Sequence, residues 1–451
     1  MNHYDLIVVG SGPGGYSAAS QAGALGRKVL LIEKDHLGGV CTNKGCIPTK
    51  SLLNGAKQYF HAKTDTKLGV HCQEVTYSLS EAMAWKEEAI QTLRSSIEFV
   101  ERTNKVDMVF GEAVFVSAHQ VRVDGETYEG EYLILATGSS PFLPPIKGSE
   151  DRKRVLTSDE ILCIDELPSS LAIIGGGVIG VEFASYFSML GVKVCVIEMM
   201  DEILPMMDNE FARLMRRSMS GVDFYLGCKV KEITERQVVY TDAKGVEQSL
   251  DASLVLLSIG RKANIGGLEP LHLELGPKGV VVDGRMRTSV ENIYAIGDVN
   301  GKSQLAHSAE RMAIVAISNI FGNKDLEMRY DAIPWVVYGN PEASGCGLTE
   351  TEAKKQGREV VCASAFMRSN GRFLAEQGKK ASGLVKLVAD AKTLSILGVH
   401  MIGPYSSEII WGASQIIEAG MTVKDIKNTI FPHPSVSEVI SACAWALDKR
   451  R

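Results

Sequence analysis

The stretch Gly10-Ser11-Gly12-Pro13-Gly14-Gly15 decides the fold of this 451-residue chain. It follows a strand-like apolar run at residues 4–9 and precedes a helix-like segment at 16–25, after which a second apolar run ends in Glu33. Glycines at this junction let the backbone approach a pyrophosphate at a helix N-terminus, and the acid can bind ribose hydroxyls. The stretch therefore predicts a Rossmann-like dinucleotide-binding unit.

The same pattern returns about 165 residues later, which is far longer than a solenoid period and therefore indicates a second nucleotide domain. There Gly175-Gly176-Gly177-Val178-Ile179-Gly180 is followed by a helix pattern at 181–190 and a strand pattern that ends in Glu198. A carboxylate at that place accepts from a free 2′-hydroxyl, whereas a 2′-phosphate would need arginine. Since residues 199–201 carry no basic side chain, the pattern favours NAD over NADP. The alternative is that Glu198 only closes a strand.

Each unit closes with an apolar strand that ends in glycine, at residues 132–138 and at residues 254–260. A further strand of this kind ends at Asp298, whose carboxylate is suited to a polyhydroxyl chain. A helix pattern then begins at Leu305-Ala306-His307, where backbone N–H groups can face an electron-rich ring or a phosphate. The last third is rich in alternating strands and amphipathic helices without glycine loops, which predicts an assembly domain.

Two cysteines five residues apart, Cys41 and Cys46, lie between the first unit and a helix pattern. A regular helix would place their Cα atoms ~8.7 Å apart, whereas a disulfide tolerates at most about 7 Å. The chain must therefore bend if they bond, and Gly45 and Pro48 predict a bend followed by a helix that starts around Cys46. A thiol at a helix N-terminus has a lowered pKa, as in a reactive pair. A structural disulfide, two unrelated core thiols and half of a zinc site are the alternatives.

His433 stands between Pro432 and Pro434, and Glu438 falls on the first turn of the next helix pattern. The flanking prolines predict an extended, rigid display of the imidazole. A histidine held by a carboxylate can act as a general acid or base. The alternative is an ordinary surface histidine.

The composition excludes several other classes of protein. The chain is 45% hydrophobic and 23% charged with a net charge of −6, which indicates a folded protein without a basic face for nucleic acid. No apolar run reaches ~18 residues, so we expect no membrane span, and residues 1–9 lead into a strand rather than a signal peptide. The other seven cysteines are scattered, which is typical of a reducing cytoplasm. Two thiols without further ligands also predict no metal site.

Taken together, these motifs resemble the flavin-dependent pyridine-nucleotide disulfide oxidoreductases, and within them the dihydrolipoamide dehydrogenases, over essentially the whole chain. The chain departs from the family pattern at Phe431, where a second histidine is common, at Ser435 and at Ala263. Phe431 leaves the disulfide substrate less defined, and no departure removes a catalytic group.

The resemblance implies an α/β fold with two Rossmann-like FAD/NAD(P)-binding domains and a C-terminal α+β dimerisation domain. The implied boundaries are 1–147 for the FAD-binding domain, 148–268 for the NAD-binding domain, 269–335 for a central part that completes the FAD domain, and 336–451 for the interface domain. The implied activity is the oxidation of dihydrolipoamide to lipoamide with FAD and NAD. The alternatives are another NAD(P)H-dependent flavoprotein disulfide reductase with a different disulfide substrate, and a binding module without activity.

The resemblance also implies roles for individual residues. The implied catalytic set is a redox-active disulfide, a base with its carboxylate and an ion pair beside the flavin: Cys41, Cys46, His433, Glu438, Lys50 and Glu182. The residues implied to hold the two dinucleotides are Gly10, Gly12, Pro13, Gly14, Gly15, Glu33, Lys34, Gly39, Val40, Cys41, Cys46, Lys50, Ala113, Thr137, Gly138, Ser139, Gly175, Gly177, Val178, Ile179, Gly180, Glu182, Glu198, Val230, Gly260, Gly297, Asp298, Leu305, Ala306 and His307.

The partners implied by the resemblance are a second copy of the chain and a lipoyl-bearing protein. In this family the catalytic histidine and its glutamate come from the other subunit, which implies an obligate homodimer with shared active sites. The protein substrates would be lipoyl domains of the acyltransferase components of 2-oxo acid dehydrogenase complexes or the glycine cleavage H-protein. We expect a cytoplasmic location.

Overall fold

A computed structural model of the chain describes residues 2–65, 68–322 and 325–448, so the predicted domain ends at residues 1 and 451 lie outside the described residues. The N-terminal part alternates strands and helices around the first glycine loop. Its elements are β1 (Asn2–Val9), α1 (Pro13–Ala24), β2 (Val29–Glu33), α2 (Gly39–Lys44), α3 (Cys46–Thr64), α4 (Leu79–Thr103), β3 (Asp107–Phe110), β4 (Val114–Ser117), β5 (Gln120–Val123), β6 (Glu126–Leu135) and β7 (Ser139–Pro141).

The second part repeats this alternation around the second glycine loop. Its elements are β8 (Val155–Leu156), β9 (Ser170–Ile174), α5 (Val178–Met189), β10 (Lys193–Glu198), α6 (Asn209–Ser218), β11 (Val222–Leu226), β12 (Lys229–Ile233), β13 (Gln237–Thr241), β14 (Glu247–Asp251), β15 (Leu254–Leu257) and β16 (Arg261–Ala263).

The remaining part returns to the first sheet and then builds a third one. Its elements are β17 (Leu275–Gly276), β18 (Gly279–Val280), β19 (Ile293–Ala295), α7 (Ala306–Phe321), β20 (Trp335–Val337), β21 (Ala343–Gly347), α8 (Glu350–Lys355), β22 (Val360–Phe366), α9 (Gly371–Gln377), β23 (Leu384–Asp390), β24 (Ile396–Ile402), α10 (Ser406–Glu418), α11 (Val423–Asn428) and α12 (Glu438–Asp448). Short 3-10 turns occur at Ile161–Cys163, Glu269–Leu271, Gly297–Asn300 and Met367–Ser369.

Three sheets organise the molecule. The first has the order β3-β2-β1-β6-β5-β4, with β19 added in parallel to β6, and the second has the order β11-β10-β9-β15-β8. Strands β1, β2, β9 and β15 each contain a continuous apolar run of four residues, at 6–9, 29–32, 171–174 and 254–257, which is typical of parallel strands covered on both faces. The third sheet is antiparallel with the order β20-β21-β24-β23-β22, and helices α10 and α12 pack on it.

The pairing of β19 with β6 inserts the second unit into the first. Residues 293–295 align with Leu133–Leu135, so the first sheet takes its last strand from beyond the second glycine unit. This pairing agrees with the expectation that a central segment, predicted at residues 269–335, completes the FAD domain. The domain boundaries themselves stay a prediction. Both glycine loops lie at carboxyl ends of parallel strands, where α/β sheets place their ligands.

A buried acid joins α4 to α1. Glu101 is only 1% exposed and accepts a hydrogen bond of 2.6 Å from the Ser20 hydroxyl, and its Oε2 has no partner among the described residues. Burial raises the pKa of Glu101 to about 7, while the Ser20 bond opposes that rise. Because the folded-state pKa lies above the unfolded one, ionisation of Glu101 lowers the stability of the fold as the pH rises from about 4.5 to about 7.

We therefore expect Glu101→Gln to stabilise the protein at pH 8 by about 2–3 kcal/mol, with the gain falling below about 1 kcal/mol at pH 5. The amide stays neutral at every pH and can still accept from Ser20. Unfolding midpoints in urea at the two pH values measure the difference. Glu88→Gln, an exposed acid on the same helix, is the control. Equal effects of Glu101→Gln at both pH values would contradict the expectation.

Candidate active site

A single cavity of about 2090 Å³ joins the two glycine loops and the cysteine pair. All residues expected to hold the two dinucleotides line this cavity except Gly180. A Cβ atom at Gly180 would lie 2.1 Å from the Gly175 carbonyl oxygen, so this glycine permits close packing of α5 on its loop. Gly180 thus packs the helix against the loop, and its role in the nucleotide site stays a prediction.

The first glycine loop is held by the acid that follows it. Glu33 accepts hydrogen bonds from the Ser11 amide at 2.8 Å and the Ser11 hydroxyl at 2.6 Å, and from the Asp35 amide at 2.9 Å. A Cβ atom at Gly10, whose φ is +99°, would lie 2.3 Å from the Ala136 carbonyl oxygen. Glu33 is buried but lines the cavity, so its carboxylate both fixes the loop and faces the space where a ribose would lie.

The second glycine loop repeats this construction. Glu198 accepts from the Gly176 amide at 2.6 Å and from the Met200 amide at 2.7 Å. Apart from Gly177 itself and its two chain neighbours, no described residue has a heavy atom within 4 Å of the place a Cβ at Gly177 would occupy. This loop therefore leaves open space directly before α5.

Two dinucleotides fit these loops. Gly12 and Gly177 directly precede helices α1 and α5, and neither helix N-terminus is capped by a described side chain. The first-turn N–H groups therefore lack protein acceptors and face the cavity, which is the setting in which a helix N-terminus binds phosphate. Glu33 and Glu198 stand beside the respective loops, as ribose binding requires.

The helical conformation is interrupted between Cys41 and Cys46, as the spacing of the two cysteines predicts. Helix α2 ends at Lys44, Gly45 adopts φ −150° and ψ −105°, and α3 begins at Cys46. Both thiols are free and are hydrogen-bonded to each other. The bond from Cys41, together with Lys50, lowers the pKa of Cys46 to about 7 against the effect of burial, whereas the same bond and burial raise the pKa of Cys41. The pair is thus electrostatically unequal, with negative charge favoured on Cys46.

The predicted ion pair between Lys50 and Glu182 is confirmed. The Lys50 amine lies 2.9 and 3.1 Å from the two carboxylate oxygens of Glu182. Tyr338 completes this arrangement, because its amide donates to Glu182 at 2.9 Å and its ring centroid lies 4.5 Å from the Lys50 amine. The sequence contained no signal for Tyr338, which comes from the third sheet.

Asp298 lies at the junction of the two units. It accepts a hydrogen bond of 2.5 Å from the Ser139 hydroxyl, which in turn accepts one of 2.8 Å from Arg261. Burial raises the pKa of Asp298. Nearby, the His307 imidazole is 2.7 Å from the Pro334 carbonyl oxygen. These contacts bring residues from both units and from the start of α7 to one wall of the cavity.

The predicted base and its carboxylate are paired but lie outside the cavity. His433 Nδ1 is 3.0 Å from Glu438, the His433 side chain is 79% exposed, and neither residue is among the described residues that line the cavity. The bond from His433 lowers the pKa of Glu438. The expectation of an extended display is wrong: residues 433–434 form a bend, because Glu438 accepts from both His433 and the Ser435 amide.

Tyr16 and Glu310 lie beside the thiols, and the sequence motifs do not identify them. The Tyr16 hydroxyl donates a hydrogen bond of 3.0 Å to Glu310, and Glu310 lines the cavity near Cys41. These residues are 294 positions apart and belong to no recognisable motif.

The described residues contain no group of three or more His, Cys, Asp or Glu suited to a metal ion. None of the helices searched is long and apolar enough to cross a membrane.

Comparisons with known proteins cover the whole chain. The family model described as pyridine nucleotide-disulphide oxidoreductase matches residues 4–313, and the dimerisation domain of the same family matches residues 333–444. Dihydrolipoyl dehydrogenases of Bacillus subtilis and Thermus scotoductus are 37% and 38% identical to the chain. These alignments span 98% and 100% of the chain and 95% and 98% of the relatives.

Solved structures with the same fold include the Cu(II) complex of the HOCl-induced flavoprotein disulfide reductase RclA from Escherichia coli. That structure has a TM-score of 0.88 and 28% sequence identity, and the match covers 99% of this chain and 100% of the other. The expected α/β fold with a C-terminal dimerisation domain is thereby confirmed. The chain belongs to the pyridine nucleotide-disulphide oxidoreductase family, and it is a flavoprotein disulfide oxidoreductase that uses FAD and NAD.

Proposed function

We propose that the enzyme is a dihydrolipoyl dehydrogenase, which oxidises protein-bound dihydrolipoamide to lipoamide and reduces NAD⁺. The observation that carries this proposal is the unequal thiol pair, in which Cys46 stands at a helix N-terminus next to Lys50 in a cavity shared with both glycine loops. The names of the bacterial relatives, which match over nearly their full length, support the substrate.

In the proposed reaction Cys41 and Cys46 start as a disulfide. A substrate thiol gives its proton to His433, and the resulting thiolate attacks Sγ of Cys41, so that the bond between the two cysteines breaks and its electron pair goes to Cys46. The second substrate thiol then displaces Cys41 and closes the lipoyl disulfide, and Cys41 takes up a proton. Lys50 stabilises the charge on Cys46, and Glu438 orients His433.

FAD supplies the two-electron chemistry that connects the thiol pair with NAD. The first loop with Glu33, the strand end at Thr137–Ser139 and Asp298 would hold FAD, and the second loop with Glu198 would hold NAD. We propose that the other predicted cofactor-binding residues that line the cavity contact one of the two dinucleotides. Both dinucleotides can enter one cavity, which supports a shared redox centre.

We further propose that His433 and Glu438 act in the site of a second subunit. Their exposure and their place outside the cavity of their own chain support this, and so does the family's dimerisation domain at residues 333–444. The homodimer would work in the cytoplasm on lipoyl domains of acyltransferase components or on the glycine cleavage H-protein.

The FAD-loaded enzyme is expected to reduce NAD⁺ with dihydrolipoamide, and to show far lower rates in NADH- or NADPH-dependent reduction of glutathione disulfide and coenzyme A disulfide. Cys46→Ser should lower kcat for dihydrolipoamide on the order of 10³-fold, because serine cannot form the exchanging bond. Cys72→Ser, which removes an exposed thiol, is the control. A kcat/KM for glutathione disulfide or coenzyme A disulfide that is higher than the kcat/KM for dihydrolipoamide would contradict the proposed substrate.

A further inference from the structure

A hydrogen bond between α1 and α7 holds a carboxylate beside the cysteine pair. The Tyr16 hydroxyl lies 3.0 Å from Oε1 of Glu310, and Glu310 is half-buried and lines the cavity. Burial, followed by the Glu310 charge, raises the pKa of Tyr16, so the phenol stays a neutral donor. Tyr16 therefore restricts where the Glu310 carboxylate lies. We call the part of the cavity lined by Cys41, Cys46, Lys50, Glu182 and Glu310 the thiol pocket.

The charges of the thiol pocket do not balance. Lys50 and Glu182 form a close ion pair, so their charges largely cancel toward a molecule that enters the pocket. Glu310 has no cationic partner within ion-pair distance among the residues that the structure describes. Its carboxylate is therefore the uncompensated charge of the pocket.

The charge of Glu310 acts on Cys41, which lines the same cavity. The pKa of Cys41 is raised by its bond with Cys46 and by burial, and the Glu310 charge adds to the rise. Lys50, in contrast, acts to lower the pKa of both cysteines. Glu310 is thus close enough to influence charge at Cys41, which is the sulfur that a substrate thiol attacks in the proposed reaction.

We propose that Glu310, held by Tyr16, is a specificity-determining residue that disfavours dithiols and disulfides whose attached chain carries a negative charge. The inference rests on the proposed function and refines its substrate class. A lipoyl group joined to a protein is a neutral amide, whereas free lipoate carries a carboxylate at the same position. The unpaired charge therefore selects the amide form over the free acid, and likewise disfavours carboxylate-bearing disulfides.

A purely structural role for the same pair makes a different prediction. If the bond only ties α1 to α7, Tyr16→Phe and Glu310→Gln should have equal effects, since each weakens that bond. If the charge selects substrates, Glu310→Gln should alter selectivity more than Tyr16→Phe does, because Tyr16→Phe keeps the carboxylate. Glu274→Gln, which neutralises an exposed acid elsewhere, controls for the change in net charge.

The experiment compares kcat/KM of the FAD-loaded dimer for dihydrolipoamide and for dihydrolipoate, two compounds that differ at this position only in charge. We expect Glu310→Gln to lower the amide-to-acid ratio about five-fold, the size expected for two unit charges roughly 8 Å apart in a half-solvated cleft. We also expect the wild-type ratio to fall between about 0.02 M and about 0.5 M salt, and this fall to be weaker in Glu310→Gln.

A ratio in Glu310→Gln that matches the wild-type ratio at low salt would overturn the inference, as would equal changes in Glu310→Gln and Tyr16→Phe. The wild-type salt profile keeps the test decisive if Glu310→Gln does not fold, because a salt-independent ratio also overturns it. A wild-type enzyme inactive with both compounds would instead overturn the proposed function, so the two failures are distinguishable.

Discussion

The dimer in which His433 is replaced by glutamine is expected to oxidise dihydrolipoamide on the order of 10²–10⁴ times more slowly than the wild-type enzyme. Glutamine keeps much of the shape of the side chain but cannot accept the substrate proton. In the proposed reaction a thiolate is the attacking species, so loss of His433 as the base would act directly on the first step. His61→Gln is the matched control, because His61 is also exposed and also pairs with a carboxylate, Asp65, at 2.6 Å.

Mixing subunits tests where His433 acts. When Cys46→Ser and His433→Gln subunits exchange at random, each mixed dimer should contain one site with both wild-type residues, if the site is shared between subunits. The mixture should then recover about a quarter of the wild-type activity. An absence of recovery, with exchange verified by differently tagged subunits, would show that His433 does not serve a partner's cysteines.

Replacing Lys386 with methionine is expected to destabilise the protein by about 3–5 kcal/mol, because it leaves the buried Asp208 carboxylate without its cation. The Lys386 side chain is 7% exposed, and its amine lies 3.0 Å from Asp208, 2.8 Å from Glu210 and 2.7 Å from Glu350. Asp208 precedes α6 in the second unit, whereas Lys386 lies on β23 of the third sheet. The cluster therefore ties the second unit to the C-terminal sheet.

The pH dependence of this effect has a definite sign. Burial opposes ionisation of Asp208, but hydrogen bonds from Thr351 and Lys386 hold its pKa below the ordinary value. Without the lysine the carboxylate would bind a proton more readily in the folded state, so the loss of stability in Lys386→Met should shrink as the pH falls toward about 4.

Unfolding midpoints of the FAD-loaded enzyme at pH 5 and pH 8 would measure the effect of Lys386→Met. Lys392→Met is the control, because Lys392 is 81% exposed and forms a single pair of 3.6 Å with Glu359, so its loss should change stability by less than about 0.5 kcal/mol. A Lys386→Met enzyme as stable as this control would contradict a structural role for the cluster.

The features that the sequence predicted are those that depend on neighbours along the chain. The loop at Gly10, the anchoring acids Glu33 and Glu198, and the break at Gly45 follow from backbone sterics and short strand–loop–helix distances. The Lys50–Glu182 pair was predicted from the family resemblance, and its geometry is now defined.

The features that the sequence did not predict join residues that are far apart in the chain. Tyr338 reaches Glu182 across 156 positions, and Lys386 reaches Asp208 across 178. Such contacts depend on how separate sheets pack, which no local pattern encodes. The bend at His433 also depends on a side-chain contact that the flanking prolines do not indicate: the Glu438 carboxylate binds His433, five positions away, and the Ser435 amide.

The late pairing of β19 with β6 has a consequence for synthesis on the ribosome. The first sheet lacks its last strand until residue 295 has been made, whereas the strands of the second sheet lie in one continuous segment, residues 155–257. The second unit can therefore fold as soon as it emerges, while the C-terminal end of β6, Leu133–Leu135, must wait with one edge unpaired. The nested arrangement thus makes the N-terminal nucleotide unit the later of the two to be completed.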